Sequence, residues 1–241
     1  MKELQTPKCG SVFSDTQYNI IGDIHGRTGW KELVRDDSVN IFVGDYFDPY
    51  EPLSSLHLIH NFVDILSFAA QHPDTVLLYG NHDLHYLFGG DRSSRYDASN
   101  AATYGRLFAE TKSMFRGVAY AIGDSALVTH AGVTRPWYEK HIGSYQGEPV
   151  AAVADKINAL WNTDKQSFAF DTSNPYDCYG ESPVQSPLWI RPWTLVEHNL
   201  FAATAYAQIF GHTQMSDLSL VDTKLICVDC LGSVTRSFTT K

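Results

Sequence analysis

The stretch Tyr18-Asn19-Ile20-Ile21-Gly22-Asp23-Ile24-His25-Gly26 passes from an apolar, strand-forming segment directly into a carboxylate and an imidazole between glycines. Four other segments end the same way. Asn40-Ile41-Phe42-Val43 leads into Gly44-Asp45, and Val76-Leu77-Leu78-Tyr79 into Gly80-Asn81. Ala126-Leu127-Val128-Thr129 leads into His130, and Ala207-Gln208-Ile209-Phe210 into Gly211-His212. Short β-branched and aromatic runs are the signature of buried strands. In open α/β sheets, ligands gather beyond the carboxyl ends of the strands. One such ending is an ordinary turn. Five in one chain place two carboxylates, an amide and several imidazoles on a single rim.

Between these runs the first half alternates strand and helix patterns. A helical stretch is expected from Thr28 to Arg35. A second opens near Pro52, with Leu53, Leu56, Ile59, His60, Val63 and Leu66 at helical spacing, and closes at Gln71-His72-Pro73-Asp74. A loop from Phe88 to Asn100 leads into a third helical stretch, about Ala101 to Phe115. Strand–helix alternation of this kind predicts parallel strands. In the second half, Val118–Ile122 and Ala126–Thr129 read as a hairpin, with a helix from about Pro149 to Asn162. A loop rich in Pro, Ser and aromatics covers Phe168 to Trp193. The C-terminal part looks all-β: Ala205–Phe210, Leu218–Val221, Leu225–Asp229 and Ser233–Phe238. The expectation is a mixed α/β fold of two packed mixed β-sheets flanked by helices, in one domain spanning residues 1–241.

Composition narrows the function. The 241 residues are 44% hydrophobic and 19% charged, an ordinary globular balance. Net charge is −9, which argues against the clustered Lys and Arg of a nucleic-acid surface but not against a small phosphorylated substrate. No run reaches the length of a membrane span, and Met1–Lys8 lacks the apolar core of a signal peptide. A cytoplasmic protein without membrane attachment is expected. Four cysteines (Cys9, Cys178, Cys227, Cys230) do not make a disulfide framework. Cys227-Val228-Asp229-Cys230 matches C-x-x-C, but lies in a strand pattern that turns the sulfurs to opposite faces, so both read as packing residues.

The rim collects Asp23, His25, Asp45, Asn81, His130 and His212. Mixed nitrogen and oxygen donors without thiolate suit Mn, Fe or Zn better than Ca or Mg. Six donors exceed a closed tetrahedral site and suit two ions sharing a carboxylate about 3.5–4 Å apart.

Taken in order, Gly22-Asp23-Ile24-His25-Gly26, Gly44-Asp45-Tyr46-Phe47-Asp48, Gly80-Asn81-His82-Asp83, His130-Ala131-Gly132 and Gly211-His212-Thr213 resemble the motif set of calcineurin-like metallophosphoesterases. Within them, they look like the branch of serine/threonine protein phosphatases and symmetrical diadenosine tetraphosphate hydrolases. The resemblance implies a four-layer αββα sandwich. It implies that Asp23, His25 and Asp45 hold one metal ion, and that Asp45, Asn81, His130 and His212 hold the other. It further implies attack on phosphorus by a hydroxide between the ions, with His82 protonating the leaving alkoxide and Asp48 orienting His82. The substrate it implies is a phosphomonoester of a phosphoprotein. A dinucleoside polyphosphate or another small phosphorylated metabolite is the alternative.

Two positions depart from that branch. Pro49-Tyr50 follows Asp48 where an Arg-Gly pair is usual, so a phosphate-gripping arginine is missing. Asp83 stands where Glu is usual. Arg191, after Trp189-Ile190, resembles a second phosphate-binding arginine of small members of the branch. Arg27, Arg92 and Arg95 are further candidates to bind substrate. Tyr46, Phe47, Tyr50, Tyr86, Trp137, Trp189 and Trp193 surround the motifs, as core or as pocket walls.

Overall fold

In this computed structural model, the described residues are 16–88 and 94–240. They form ten strands and seven α-helices. The first half contains β1 (Gln17–Ile21), α1 (Trp30–Leu33), β2 (Ser38–Phe42), α2 (Ser55–Gln71), β3 (Val76–Leu78), α3 (Asn81–Phe88), α4 (Ala101–Thr111) and β4 (Phe115–Gly117). The second contains β5 (Ala119–Ile122), β6 (Ala126–Thr129), α5 (Arg135–His141), α6 (Val150–Thr163), α7 (Pro192–His198), β7 (Ala207–Phe210), β8 (Ser219–Asp222), β9 (Leu225–Cys227) and β10 (Phe238–Thr240).

Two five-stranded mixed sheets result, ordered β10-β1-β2-β3-β4 and β5-β6-β7-β9-β8. In the first, β1 to β4 run parallel and β10 lies antiparallel on the β1 edge. In the second, β6, β7 and β9 run parallel between two antiparallel edges. The two-residue period of a strand explains the layers. Ile20, Ile41, Val43, Val76 and Leu78 point to one face and meet Ile122, Val128, Ile209 and Val228 of the second sheet. Ile21, Phe42 and Leu77 point to the other face, into a core shared with Phe62 and Ile65 of α2 and Tyr104 and Phe108 of α4. Both faces of the central strands are buried, which is why their sequences read as continuous apolar runs.

Several expected elements have different limits. The first helix shrinks to the four residues of α1. Helix α2 starts three residues after Pro52, with Ser54 Oγ accepting from His57 N. Its buried stripe is Leu58, Phe62, Ile65 and Leu66, whereas Leu56 and Val63 of the expected stripe are exposed. The third helix stops at Thr111, and Phe115 opens a strand that completes the parallel set. Helix α3 begins at Asn81 itself; its first three residues are polar and it is only eight residues long, so no apolar periodicity announced it. The last expected strand forms only over Phe238–Thr240, and it crosses to the first sheet.

The carboxylate of Asp83 fastens two strand ends together. It accepts from the backbone N–H of Asp45 (2.9 Å), Tyr46 (3.0 Å) and Gly80 (2.8 Å), all buried. Replacement by alanine leaves three buried donors unpaired, each costing about 1–3 kcal/mol. Asp83→Ala is therefore expected to lose about 3–5 kcal/mol in urea unfolding, and Asp83→Asn, which keeps an acceptor oxygen, distinctly less. A loss under about 1 kcal/mol for the alanine variant would show that these bonds do not hold the strand ends.

Candidate active site

Asp23, Asp45, Asn81, His130 and His212 sit just past β1, β2, β3, β6 and β7, and the structure brings all of them together with His25. Glycine makes this convergence sterically possible. A Cβ on Gly80 would land on the Asp45 carboxylate, and one on Gly211 on that of Asp23. The backbone is strained at the same place. His25, Asp45, Asp48, Arg95 and His212 are the non-glycine residues with positive φ among the described residues, at 45°, 56°, 57°, 67° and 66°. Side chains rarely adopt this conformation, and it persists where surrounding contacts impose it.

The donor atoms face one another. His25 Nε2 lies 3.4 Å and His130 Nε2 3.5 Å from Asp45 Oδ2. Asn81 Oδ1 lies 2.8 Å from His130 Nε2 and 2.9 Å from His212 Nδ1. Two imidazoles are aimed by their other nitrogen: His25 Nδ1 is 2.9 Å from the Phe47 carbonyl, and His130 Nδ1 2.9 Å from that of Val43. An Nδ1–H donated to a carbonyl leaves Nε2 as a lone pair facing the cluster. Asp23 accepts the His212 backbone N–H at 3.0 Å and 3.1 Å. Asp45 Oδ1 accepts that of His82 at 2.8 Å.

Electrostatics show what the cluster suits. Burial, then the neighbouring Asp229 and Asp45 carboxylates, push Asp23 well above the usual carboxylate range. Burial, then Asp83, does the same to Asp45. Burial drives the His130 imidazole down to about 3 and holds His25 and His212 well below their usual value. Crowded carboxylates and neutral imidazoles with inward lone pairs are suited to cations. The donor set therefore fits divalent metal ions: Asp23, His25 and Asp45 have ligand atoms within 4.8 Å of one another, and Asn81, His130 and His212 adjoin them.

Beside the cluster stands a hydrogen-bonded hub. Asp48 Oδ2 lies 2.9 Å from His82 Nδ1 and 2.8 Å from His85 Nε2, and Tyr86 donates its hydroxyl to Oδ1. Burial works to raise the Asp48 carboxyl, but these bonds outweigh it and hold it below its ordinary value. His82 is held low by burial, against the pull of Asp48. The sequence assigns no role to His85, and it offers Tyr86 only as core or pocket wall, not as a partner of Asp48. The usable signal was the three-residue step from His82 to His85, which sets both rings on one helix face.

The sequence-predicted arginines divide. Arg95 and Arg191 line a cavity of about 560 Å³ over the cluster, together with His25, Asp45, Asn81, His82 and His212. Arg95 donates Nε to the Asp48 carbonyl (3.0 Å), stacks 3.6 Å over the Tyr50 ring and brings Nη2 within 3.2 Å of His82 Nε2. Arg191 donates Nε to the Tyr179 carbonyl (2.6 Å) and Nη1 to Thr213 Oγ1 (3.0 Å). Arg27 does not line the cavity; Arg92 lies outside the described residues. Of the aromatics, Tyr50 and Trp189 line the cavity, Tyr46, Phe47 and Trp137 are core, and Trp193 is exposed. Cys227 and Cys230 are buried free thiols.

The calcineurin-like phosphoesterase family matches residues 16–216, most of the chain. The chain belongs to this family of phosphoester hydrolases, and its two helix-flanked mixed sheets are the family's fold. Among solved structures it is similar to a cold-active protein tyrosine phosphatase, with 19% identity, 90% of this chain and 70% of that chain covered, and a TM-score of 0.55. It is also similar to a serine/threonine phosphatase from Saccharomyces cerevisiae with similarity to human phosphatase PP5, with 16% identity, coverage of 89% and 67%, and a TM-score of 0.53. At these identities the likeness is one of fold. No curated sequence matches the chain. No helix among the described residues is long and apolar enough to cross a membrane.

The loop that presents the Tyr179 carbonyl to Arg191 is built on Asp177. Its carboxylate accepts from the backbone N–H of Tyr179, Gly180, Glu181 and Ser182 and from Gln185 Nε2. Burial works to raise its carboxyl, yet the bonds from Gln185 and the backbone hold it below the ordinary 3.8. A depressed carboxyl stabilises the fold above its unfolded value and loses that contribution as pH falls through the folded value. Asp177→Asn is expected to lose about 1–2 kcal/mol near neutral pH. Melting curves of variant and wild type should converge below about pH 4; a gap independent of pH would refute the charge-based account.

Proposed function

We propose that this chain is a metal-dependent phosphomonoesterase. The observation that carries the reading is one cavity lined by the Asp45 carboxylate, the Asn81 amide, the imidazoles of His25 and His212, the Asp48-bound imidazole of His82 and the guanidinium groups of Arg95 and Arg191. In this reading Asp23, His25 and Asp45 hold one ion, and Asp45, Asn81, His130 and His212 hold a second, of Mn, Fe or Zn. When bound, such ions supply Lewis acidity and an activated water. Arg95 and Arg191 grip phosphoryl oxygens from the rim, by charge-assisted hydrogen bonds that suit a transferring phosphoryl group. His82 takes up a proton at Nε2 from solvent, as the Asp48 carboxylate that accepts from Nδ1 favours, and passes it to the leaving oxygen, while Asp48 fixes its ring. Arg95 faces that same Nε2, so a phosphoryl group that engages Arg95 frees it for the leaving group.

The substrate class we favour is a phosphoryl group on a protein side chain, since both similar structures are protein phosphatases. One feature favours a small phosphorylated molecule instead. Tyr50, Phe170, Tyr179 and Trp189 line the cavity, and aromatic faces of this kind stack planar groups such as nucleobases. The acidic balance gives no basic track for nucleic acid.

Hydrolysis of an aryl phosphate with added Mn²⁺ is expected, and its loss on chelation. His82→Ala should lower kcat about 10²–10⁴-fold with metal still bound. Equal activity of wild type and variant would sink the acid role, and inactivity of both the enzyme reading. Arg95→Ala and Arg191→Ala should each raise KM for the aryl phosphate about tenfold or more; an unchanged KM removes that arginine from the substrate site. A panel of phosphoseryl, phosphothreonyl and phosphotyrosyl peptides beside diadenosine tetraphosphate should show one class turned over far faster.

A further inference from the structure

Two charged groups that act on Asp23, the buried Asp229 and the partly buried Arg27, remain without a part in this reaction. Asp229 follows β9 and is 3% exposed. Its carboxylate meets that of Asp23, and its Oδ1 has no hydrogen-bond partner. The close passage of its backbone across Gly22 keeps it there, since a Cβ on Gly22 would meet the Val228 carbonyl and the Asp229 Cα. Arg27 comes two residues after His25. Its Nε lies 3.2 Å from Glu51 Oε1, but Nη1 and Nη2 are buried without partners. Its Nη2 occupies room that exists because residue 232 is a glycine; a Cβ there would lie 3.0 Å from that nitrogen. Absence from the cavity lining speaks against contact with substrate.

A buried charge without a partner is expensive unless an opposite charge offsets it. After burial itself, the Arg27 charge acts most strongly on Asp229, and Asp229 is the strongest like charge acting on Asp23. Asp23 thus feels both a third carboxylate, which strengthens its draw on a cation, and a guanidinium, which weakens it.

We infer that Arg27 and Asp229 are a positioning pair for the Asp23–His25–Asp45 cation site. Asp229 backs Asp23 with additional negative charge, and Arg27 limits it, so the pair sets the affinity of that site without touching substrate. The inference rests on the metal-dependent reading proposed above. Outer groups of this kind commonly shift metal affinity by about 10–100-fold. The sequence pointed elsewhere: Asp229 lay inside a C-x-x-C match read as strand packing, and Arg27 was a candidate for phosphate.

The test is calorimetric titration of Mn²⁺ into the metal-stripped full chain, with melting curves to confirm folding. Asp229→Asn should weaken binding at one of two sites about tenfold. Arg27→Met should tighten it severalfold, Arg27→Lys should stay near wild type, and the double variant Asp229→Asn/Arg27→Met should return toward wild type. Inhibition by inorganic phosphate should be unchanged in Arg27→Met. Shifts of the same sign in both single variants, or none beyond about twofold, overturn the pair. A tenfold weaker phosphate inhibition in Arg27→Met assigns that residue to substrate and also overturns it. If Arg27→Met does not fold, unchanged affinity in the nearly isosteric Asp229→Asn is decisive against the pair. A wild type that binds no Mn²⁺ overturns the metal reading itself, whereas two bound ions with unresponsive variants defeat only this inference.

Discussion

The placement of two buried carboxylates, Asp23 and Asp45, side by side at adjacent strand ends is the constraint to which the rest of the structure answers. Two such groups repel each other out of water and gain nothing from the core around them. Their position is imposed by stronger interactions elsewhere. Parallel pairing of β1 with β2 sets the two chain ends level, and the apolar layer between the sheets fixes the ends of β6 and β7 opposite them. Donors on His212 and His82 then hold the carboxylates in place. Each left-handed residue around them stores strain of order 1 kcal/mol. Packing far from the site thus sustains an arrangement that is unfavourable on its own and is relieved by cations.

The second organising interaction is the Asp48 carboxylate. It takes bonds from two imidazoles and a phenol, so three of its roughly four lone-pair sites are spent inside the protein. The ring of His82 gains a fixed plane from this. His85 and Tyr86, which never reach the cavity, carry the constraint back into α3 and the aromatic core. An imidazole tethered at one nitrogen and presented at the other is the arrangement that proton transfer to a positioned oxygen needs.

The fold and the meeting of these polar residues at the strand ends were legible in the sequence for the same reason. A strand buried on both faces must be apolar throughout, and it must stop when the chain turns to present a polar group. Ile20-Ile21 before Asp23 and Ile41-Phe42-Val43 before Asp45 write that boundary plainly. What went unread depends on relations that no local pattern records. The polar opening of α3 hid a helix whose first turn carries Asn81, His82 and Asp83. The outward position of Leu56 and Val63 follows from where α2 lies against the sheet. Asp229 gains its meaning only from β9 pairing with β7, which carries the following residues to the carboxylate after β1.

The altered residues around the rim are coherent when read together. Proline at 49 removes a side chain that could reach over the metal donors, and it also removes a backbone donor from the turn. The space is taken from another part of the chain. Arg95 enters after α3, is bound by the carbonyl of Asp48 and sits over the ring of Tyr50, the neighbour of the proline. A guanidinium held by the Asp48 carbonyl, the His82 ring nitrogen and one ring face is fixed in orientation where it lines the cavity. On the proposed reading, the chain keeps the charge that a phosphoryl group requires and changes only the element that delivers it. A loop can vary in length and sequence far more freely than a strand-end turn. On that reading, an arginine brought from the loop ties recognition of phosphate to recognition of whatever the phosphate is attached to, because Tyr50, Ser94 and Arg95 line the same cavity.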